Sequence, residues 1–380
     1  MAKKWMEKLQ DFAGAVDATC NPFASGIRTP SPSVNFTFGN THLLPFGYST
    51  VLWGPEKCGK SLLANGMIGQ LHRDDPEAYA IKFNTEMREN LQVTPALKAM
   101  FGIDDSRYQA YETNRPDEIF DRIENDIDKL CIDGFPLKMI VIDSVNNILG
   151  RREAGYSSVE KSSQGDCAAT IGYGLKRVLE TIRRHKIALV LISQARDEMD
   201  PGEVMRGNKL RMAAAHQLKH FCEYFLLVER NKTAAAQTDL SGKRLSDDTL
   251  AAGIGVSDSS KAGSEERTAH KIRCTMADST CGVRGRVGQF TFSYRDGIIN
   301  THEEVFELGI ARNIFTTENN KTWMFEDLKW TGGKPAVINA LQQDPTLVAR
   351  VIKELKRRDI AGIFTKEDEQ RYEKMLESNG

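Results

Sequence analysis

The sequence predicts an α/β fold with a mostly parallel central sheet, and three observations support this prediction. Short, uniformly apolar runs recur between residues 48 and 228, as in strands that are buried on both faces of a parallel sheet. Stretches with helical periodicity separate these runs, which is the pattern of βαβ units. From Thr301 onward the pattern becomes mainly helical, which indicates a small C-terminal domain.

Apolar runs predict the central strands. They cover residues 48–53, 78–83, 138–142, 187–192 and 225–228. Between the third and fourth runs, apolar residues recur at helical spacing and predict a helix of the length that a parallel crossover needs. These residues are Ile171, Leu175, Val178, Leu179 and Ile182.

Flanking segments complete the predicted organisation. Residues 2–18 predict a short amphipathic helix, and a linker reaches residue 35. The core is expected to cover residues 36–300, with a mobile polar insertion at 231–268 and strands at 270–276 and 288–295. In the predicted C-terminal domain, residues 301–380, Pro335 and Pro345 begin helices, and Asp344 caps the second.

Composition excludes several classes of protein. With 40% hydrophobic and 27% charged residues among 380, the chain is neither disordered throughout nor collagen-like. The 51 basic and 52 acidic residues nearly balance, so any contact with nucleic acid would depend on local basic patches. The 7 cysteines form no C-x-x-C pair, and we find no secretory leader or membrane span, so we expect a reducing, cytoplasmic location and no membrane partner.

A phosphate-binding motif follows the first predicted strand. The motif G-x-x-x-x-G-K-[ST] is formed by Gly54, Pro55, Glu56, Lys57, Cys58, Gly59, Lys60 and Ser61, and Leu62 opens the helical pattern behind it. Glycines let the backbone wrap closely around phosphate oxygens, and the N–H groups of a helix start face them. Lys60 is predicted to reach the β and γ phosphates, and Ser61 to hold Mg²⁺. The alternative is a chance glycine turn before a helix.

Polar residues end three other predicted strands at the same edge. Asp143 follows an apolar strand and is predicted to orient the Mg²⁺ shell, although strands also end in ordinary capping aspartates. Glu86 is predicted to orient the attacking water, the alternative being a solvated surface glutamate. Gln194 is predicted to sense the γ phosphate, the alternative being a simple hydrogen bond at a strand end.

The order of these pieces resembles the RecA/UvsX family of DNA recombinases, and the resemblance extends from about Phe23 to Leu355. Its motifs are Gly54-Pro55-Glu56, Val141-Ile142-Asp143-Ser144-Val145, Ala214-Ala215-His216-Gln217-Leu218-Lys219, Tyr294-Arg295-Asp296-Gly297-Ile298 and Phe306-Glu307-Leu308-Gly309. The segments Pro22-Phe23-Ala24-Ser25 and Arg28-Thr29-Pro30 look closest to the phage members, the UvsX proteins. Trp323-Met324-Phe325 and the helix at Asp344-Pro345 resemble the C-terminal domain of bacterial RecA.

The resemblance implies a RecA-like P-loop NTPase core and a DNA-dependent ATPase. It implies helical filaments on single-stranded DNA, homologous pairing with duplex DNA and strand exchange in recombination and repair, together with single-strand-binding and loader proteins. In this scheme Lys60, Ser61 and Asp143 bind ATP and Mg²⁺, Glu86 activates water, and Gln194 links the nucleotide to DNA. Tyr294 would pack against adenine, the alternative being a core aromatic on a strand. A phage-encoded chain would act in the host cytoplasm or nucleoid.

Two segments would face the DNA in this scheme. The first, residues 149–164, carries Arg151, Arg152 and Lys161. The second, residues 195–217, carries Arg196, Arg206, Lys209 and Arg211, with Met199 where the family inserts an aliphatic side chain between base triplets. Acidic residues between 197 and 203 restrict the expected phosphate contacts to residues 206–211. The alternative for both segments is a solvated mobile loop.

Contacts between subunits are expected at both ends of the core. Phe23 would dock in an apolar pocket of the neighbouring subunit, the alternative being that it caps its own core. Bacterial RecA completes its ATP site with a lysine pair from the neighbour, but an ungapped comparison places Asp278 and Thr280 there. Either Lys271 and Arg273, or Arg284 and Arg286, would substitute for that pair.

Two other functions share the same core. The first is a regulatory RecA-like ATPase that binds a protein partner without strand exchange, which the missing lysine pair and the acidic loop favour. The second is a hexameric helicase, against which the RecA-like C-terminal segment argues.

Overall fold

The computed structural model describes residues 25–153, 165–206, 210–230, 237–238, 269–280, 284–317 and 319–360. The predicted N-terminal helix and nearly all of the segment 231–268 therefore lie outside the described residues. In the described part of the chain, no helix combines the length and apolar character that crossing a membrane requires.

Strands are distributed along the whole described chain. They are β1 (Gly26–Ile27), β2 (Leu44–Pro45), β3 (Ser49–Gly54), β4 (Tyr79–Asn84), β5 (Tyr108–Glu112), β6 (Leu137–Asp143), β7 (Ala188–Asp197), β8 (Leu210–Met212), β9 (Tyr224–Arg230), β10 (Gln237–Thr238), β11 (Ala269–Ser279), β12 (Val287–Ser293), β13 (Gly297–Ile299), β14 (Thr316–Thr317), β15 (Thr322–Phe325) and β16 (Leu328–Thr331).

Helices connect most of these strands. They are α1 (Pro32–Asn35), α2 (Lys60–Asp74), α3 (Glu89–Gln92), α4 (Pro95–Phe101), α5 (Asp128–Ile132), α6 (Asp166–Arg184), α7 (Pro201–Met205), α8 (Ala215–Phe221), α9 (Thr301–Ala311), α10 (Lys334–Gln343) and α11 (Pro345–Ile360). A π-helix, Asp117–Ile127, runs directly into α5, and short 3₁₀ helices cover Phe36–Thr41, Asp105–Arg107 and Val145–Asn147.

The main sheet is mixed, which corrects the prediction of a mostly parallel sheet. Its order is β13-β12-β11-β9-β3-β7-β6-β4-β5, with β10 paired to β11 and β8 paired to β7. From β9 to β5 all neighbours are parallel, and the apolar runs predicted these strands except β5. On the other side, β11 is antiparallel to β9 and β12, and β12 is antiparallel to β13. The connections from β11 to β12 and from β12 to β13 are too short for the helix that a parallel crossover needs.

Helices cover both faces of the parallel part. Alternate residues of β3 point to opposite faces, so Leu52 joins one buried cluster and Val51 joins the other. On the first face lie α2, α4 and residues of α1; on the second lie α6 and the π-helix. The predicted crossover helix is confirmed as α6, which buries Ile171, Leu175, Val178 and Ile182.

Residues after Thr301 bury a third cluster. Helices α9, α10 and α11 pack with the antiparallel sheet β14-β15-β16 around Phe306, Trp323 and Leu341. Pro345 begins α11, as predicted, and the Asp344 carboxylate accepts the backbone N–H groups of Thr346 and Leu347 at 2.8 and 3.2 Å. Pro335 is the second residue of α10, one position later than predicted.

Candidate functional site

The carboxyl ends of the parallel strands bring most of the predicted site residues together. Gly54 at the end of β3 pairs with Gln194 of β7, and Asn84 at the end of β4 pairs with Asp143 of β6. Above this edge lies a cleft of about 560 Å³. Its lining includes the predicted residues Glu56, Lys57, Cys58, Gly59, Lys60, Ser61, Leu62, Glu86, Asp143, Gln194 and Tyr294.

The turn between β3 and α2 requires glycine at two positions. Gly54 has φ of +153°, and a Cβ atom there would lie 2.0 Å from the Val228 carbonyl oxygen. Gly59, at the N-cap of α2, has φ of +104°, and its Cβ would lie 2.6 Å from Ile272 Cδ1. The sequence motif therefore places a closely packed backbone turn in front of a helix start, where N–H groups attract anions.

Lys60 lies inside this turn. Its ammonium group donates to the carbonyl oxygens of Gly54 and Pro55 at 2.9 and 2.5 Å, and the residue is 7% exposed. Gly54 and Pro55 thus contribute their backbone to the site rather than side chains. A triphosphate in the cleft would meet this ammonium group at the base of the turn.

Asp143 is a buried carboxylate facing the cleft. It receives a hydrogen bond from the Ser61 hydroxyl, and Lys82 Nζ lies 3.5 Å from its Oδ2. Burial raises the pKa of Asp143; Lys82 and Ser61 act in the opposite direction, and Glu86 adds to the rise. The peptide bond to Ser144 is cis, and Thr85 holds it by donating its N–H to the Asp143 carbonyl at 2.8 Å.

Lys82 is a buried residue next to the site that the sequence analysis did not select. It is fully buried in β4, and its Nζ lies 3.0 Å from Glu89 Oε2 in addition to its contact with Asp143. The signal was present, because a lysine interrupts the apolar run Tyr79–Asn84 at a position that must face the interior. A buried ammonium group needs carboxylate partners, and two neighbouring acids supply them.

Glu86 is the second residue of the turn after β4. Its N–H donates to Asn84 Oδ1 at 3.0 Å, and its carboxylate pairs with Arg88. The Glu86 side chain is 12% exposed, which differs from the alternative of a solvated surface glutamate. Arg88 also lines the cleft and adds a cation that the sequence reasoning did not select.

Gln194 connects the cleft to the segment that follows it. Its N–H donates to Asn146 Oδ1 at 2.7 Å, and its carbonyl accepts the N–H of Ala213 at 3.1 Å. These bonds engage its backbone, while the side chain lines the cleft.

Tyr294 lies just after β12 and is 48% exposed. Its ring packs beside His270 with centroids 5.3 Å apart, and its hydroxyl accepts a hydrogen bond from Arg230 at 3.3 Å. This position at the rim of the cleft differs from the alternative of a core aromatic.

The candidate DNA-binding residues lie in two places outside the cleft. Arg151 and Arg152 are exposed, and Arg151 lines a separate cavity of about 350 Å³ with Tyr173 and Arg177. Arg196 and Arg211 face each other across the antiparallel pair β7 and β8. The exposed residues Arg206, Met199 and Met205 lie in the connection between these strands, and the sequence reasoning overlooked Met205, which is 90% exposed. Lys161 and Lys209 lie outside the described residues.

The candidate interface residues that the structure describes do not line the cleft. Lys271 and Arg273 point to the same face of β11, and Lys271 lines a cavity beside acidic residues of α9. Of the alternative pair, Arg284 pairs with Asp278 at 2.7 Å, and Arg286 pairs with Asp359. Phe23 lies outside the described residues.

The donors at the cleft fit a nucleotide-bound magnesium ion. In the part of the chain that the structure describes, no group of three or more His, Cys, Asp or Glu side chains is placed to hold a metal. Asp143 and Ser61 supply one carboxylate and one hydroxyl oxygen, and Mg²⁺ commonly takes its remaining ligands from phosphates and water. The turn, Lys60 and these two oxygens therefore suit a magnesium-bound triphosphate.

Comparison with known proteins found weak similarity to proteins named RecA. Protein RecA of Oleidesulfovibrio alaskensis is 21% identical over 305 residues, which cover 80% of this chain and 74% of that protein. Protein RecA of Malacoplasma penetrans is 24% identical over 200 residues, which cover 53% of this chain and 56% of that protein. No protein-family model matches the chain. These similarities support a relationship to the RecA family and do not distinguish its branches.

Proposed function

We propose that this chain is an ATP-dependent DNA recombinase of the RecA family, of the UvsX type, which forms helical filaments on single-stranded DNA. The observation that carries the proposal is the junction at Gln194. There the strand that borders the phosphate-binding turn continues into a ribbon whose two arginines face each other. Under this proposal, one strand joins the nucleotide-binding cleft to the arginines that contact DNA.

The residues of the cleft have separate roles in this proposal. Lys60 exchanges its two backbone carbonyl partners for phosphate oxygens, because an ammonium group forms stronger hydrogen bonds with anionic oxygens. Asp143 and Ser61 hold Mg²⁺, which neutralises phosphate charge when bound. Glu86 orients the attacking water, and Tyr294 packs against the adenine ring at the rim.

The proposed phosphate contacts of the β7–β8 ribbon are Arg196 and Arg211, with Arg206 in the connection between the strands; acidic residues between 197 and 203 confine these contacts to the arginines. Like charges directly opposite each other destabilise an antiparallel pair, so Arg196 and Arg211 favour an anion between or beside them. The exposed Met199 and Met205 supply apolar side chains that are proposed to insert between bases without regard to sequence. Sequence-independent binding is what a recombinase needs, because it must accept any strand.

The assembly and domain predictions extend the same proposal. Phe23, Lys271 and Arg273 are proposed to contact neighbouring subunits, and residues 301–380 to form a C-terminal domain. The separate buried cluster around Phe306 supports this division.

The test is ATP hydrolysis with and without single-stranded DNA. We expect saturating DNA to stimulate hydrolysis, and Lys60→Ala to lower turnover at least about 100-fold while circular dichroism shows the fold retained. An unchanged hydrolysis rate at saturating DNA would contradict the assignment.

A regulatory ATPase without strand exchange is the second candidate. The position of the family's cross-subunit lysine pair holds Asp278, which pairs with Arg284 of its own chain. Electron microscopy with ATP and single-stranded DNA separates the two functions, since regular filaments support the recombinase and discrete particles support the regulator.

A further inference from the structure

A buried cation lies behind the proposed metal-binding carboxylate. Lys82 Nζ lies between Glu89 Oε2 at 3.0 Å and Asp143 Oδ2 at 3.5 Å, and the lysine side chain has no exposed surface. We name Lys82, Glu89 and Asp143 the Lys82 cluster. Asp143 is the member that also faces the cleft, so a metal ion there would share its carboxylate with the ammonium group.

Other contacts hold the Lys82 cluster in place. Asn84 donates its side-chain amide to Glu89 Oε2 at 2.8 Å, and the Tyr108 hydroxyl donates to Glu89 Oε1. Glu89 is therefore fixed from two sides, and Lys82 lies in the middle of β4, where neighbouring strands restrict its backbone. The buried ammonium group therefore lies beside Asp143 with no exposed surface.

We propose that Lys82 makes metal binding depend on nucleotide: it prevents the Asp143 site from holding a divalent cation until a triphosphate supplies further oxygen ligands. This inference rests on the proposed function as an ATPase. Two cations that share one buried carboxylate repel each other, and the repulsion is strong where water is excluded. A triphosphate offsets that repulsion with its own negative charge.

The composition of the site supports this dependence. The described residues contain no preformed cluster of three metal ligands, so Asp143 and Ser61 together offer few oxygens to a metal alone. Lys82 neutralises part of the charge of Asp143, which lowers the affinity of the bare site further. Lys82 is thus a positioning residue that acts through Asp143.

The test measures Mn²⁺ binding to the protein without nucleotide, by electron paramagnetic resonance. Lys82→Met alone would leave two buried acids without a cation and endanger the fold. The informative variant is therefore Lys82→Met with Glu89→Gln, which removes one charge of each sign. Glu89→Gln alone is the matched control, because it keeps the ammonium group beside Asp143.

We expect the double variant to bind Mn²⁺ at least about tenfold more tightly than the wild type and the Glu89→Gln control. Adding Asp143→Asn to the double variant should abolish the gain. The ratio of Mn²⁺ affinities with and without a non-hydrolysable ATP analogue measures how strongly nucleotide and metal binding are coupled. This ratio should fall in the double variant, because the ammonium group that is proposed to cause the coupling is absent.

A folded double variant that binds Mn²⁺ no better than Glu89→Gln would overturn the proposal, and so would a gain that survives Asp143→Asn. Failure of the wild type to bind ATP would instead refute the proposed function. The two failures are distinguishable because the double variant and Glu89→Gln are compared by Mn²⁺ titration without nucleotide.

Discussion

Glu304 shows how a single buried carboxyl group can make stability depend on pH. It lies on α9 with 9% of its surface exposed, and its Oε2 accepts hydrogen bonds from Ser31 Oγ at 2.6 Å and the Ser33 N–H at 3.0 Å. Its Oε1 is buried and accepts no hydrogen bond within the described ranges. Burial raises the pKa of Glu304 to about 8, so the neutral form predominates in the folded chain at neutral pH.

The first prediction concerns Glu304→Gln. Because the folded state holds a proton that the unfolded state releases between pH 4.5 and about 8, the stability of the wild type falls as pH rises through this window. Glutamine keeps the size and the accepting oxygen but does not ionise. As pH rises from 5 to 9, the free energy of unfolding of the variant minus that of the wild type should increase by roughly 2 to 5 kcal/mol. Urea denaturation at the two pH values measures this difference.

The neighbouring substitution Glu303→Gln is the control. It should change stability by less than about 0.5 kcal/mol at both pH values, as ordinary surface substitutions do. If the free energies of unfolding of the wild type and Glu304→Gln changed equally with pH, the pKa of Glu304 would not be raised in the folded state.

At the scale of elements, the ribbon of β7 and β8 is open to a test that separates binding from stability. Arg196 and Arg211 face each other, so losing either should leave stability unchanged or raise it by up to about 0.5 kcal/mol. If the ribbon holds phosphates, losing either arginine should instead weaken binding of single-stranded DNA.

For Arg211→Ala we expect affinity for single-stranded DNA to fall about tenfold and the slope of log affinity against log salt to decrease in magnitude by about 1. Fluorescence anisotropy with a labelled oligonucleotide at several salt concentrations measures both. Arg184→Ala is the control, because Arg184 pairs with Asp128 near the amino end of β7, at the opposite edge of the sheet. If Arg211→Ala and Arg184→Ala lost the same affinity for single-stranded DNA, the ribbon would not be part of the DNA-binding surface.

The apolar runs predicted the strands that are buried on both faces, because such strands must be uniformly apolar. They did not predict β5, Tyr108–Glu112, which lies at the sheet edge, has no fully buried residue and includes the exposed polar residues Gln109 and Glu112. The sequence also predicted β11 and β12 as strands but not that they pair antiparallel, because the direction of pairing depends on the connections and not on the strand residues.

In the site, spacing predicted that Gly59, Asp143 and Gln194 would meet, because parallel strands end at one edge. The contact of Lys82 with Glu89 was not predictable from spacing, since it depends on how α3 folds back over β4.

At the scale of the whole molecule, Asp359 joins the end of α11 to the main sheet and its surroundings. Its carboxylate pairs with His42 Nε2 at 2.8 Å, with Arg312 at 2.7 Å and with Arg286, while only 3% of its side chain is exposed. Burial would raise the pKa of Asp359, but His42 and the two arginines outweigh it and hold the pKa below its ordinary value.

We expect Asp359→Asn to lower the free energy of unfolding by about 3 kcal/mol, because it removes the buried carboxylate that pairs with His42, Arg286 and Arg312. Since the folded pKa is depressed, the stabilisation is present above pH 3.8 and is lost as pH falls below it. Urea denaturation at pH 7 measures the loss. Glu326→Gln, which breaks the exposed pair with Arg350, should cost less than about 1 kcal/mol, and an equal cost for both would show that Asp359 does not join the two parts.

The continuity of β7 has a mechanical consequence. From Ala188 to Asp197 the backbone stays extended, changing its neighbours from β3 and β6 to β8 without leaving the strand. Gln194 and Arg196 are two residues apart, about 7 Å, and point to the same side. An extended backbone resists stretching, so a displacement of the backbone at Gln194 would be transmitted along β7 to the backbone of Arg196. Under the proposed function, nucleotide binding and affinity for single-stranded DNA would therefore be coupled through strand β7, with no domain movement required.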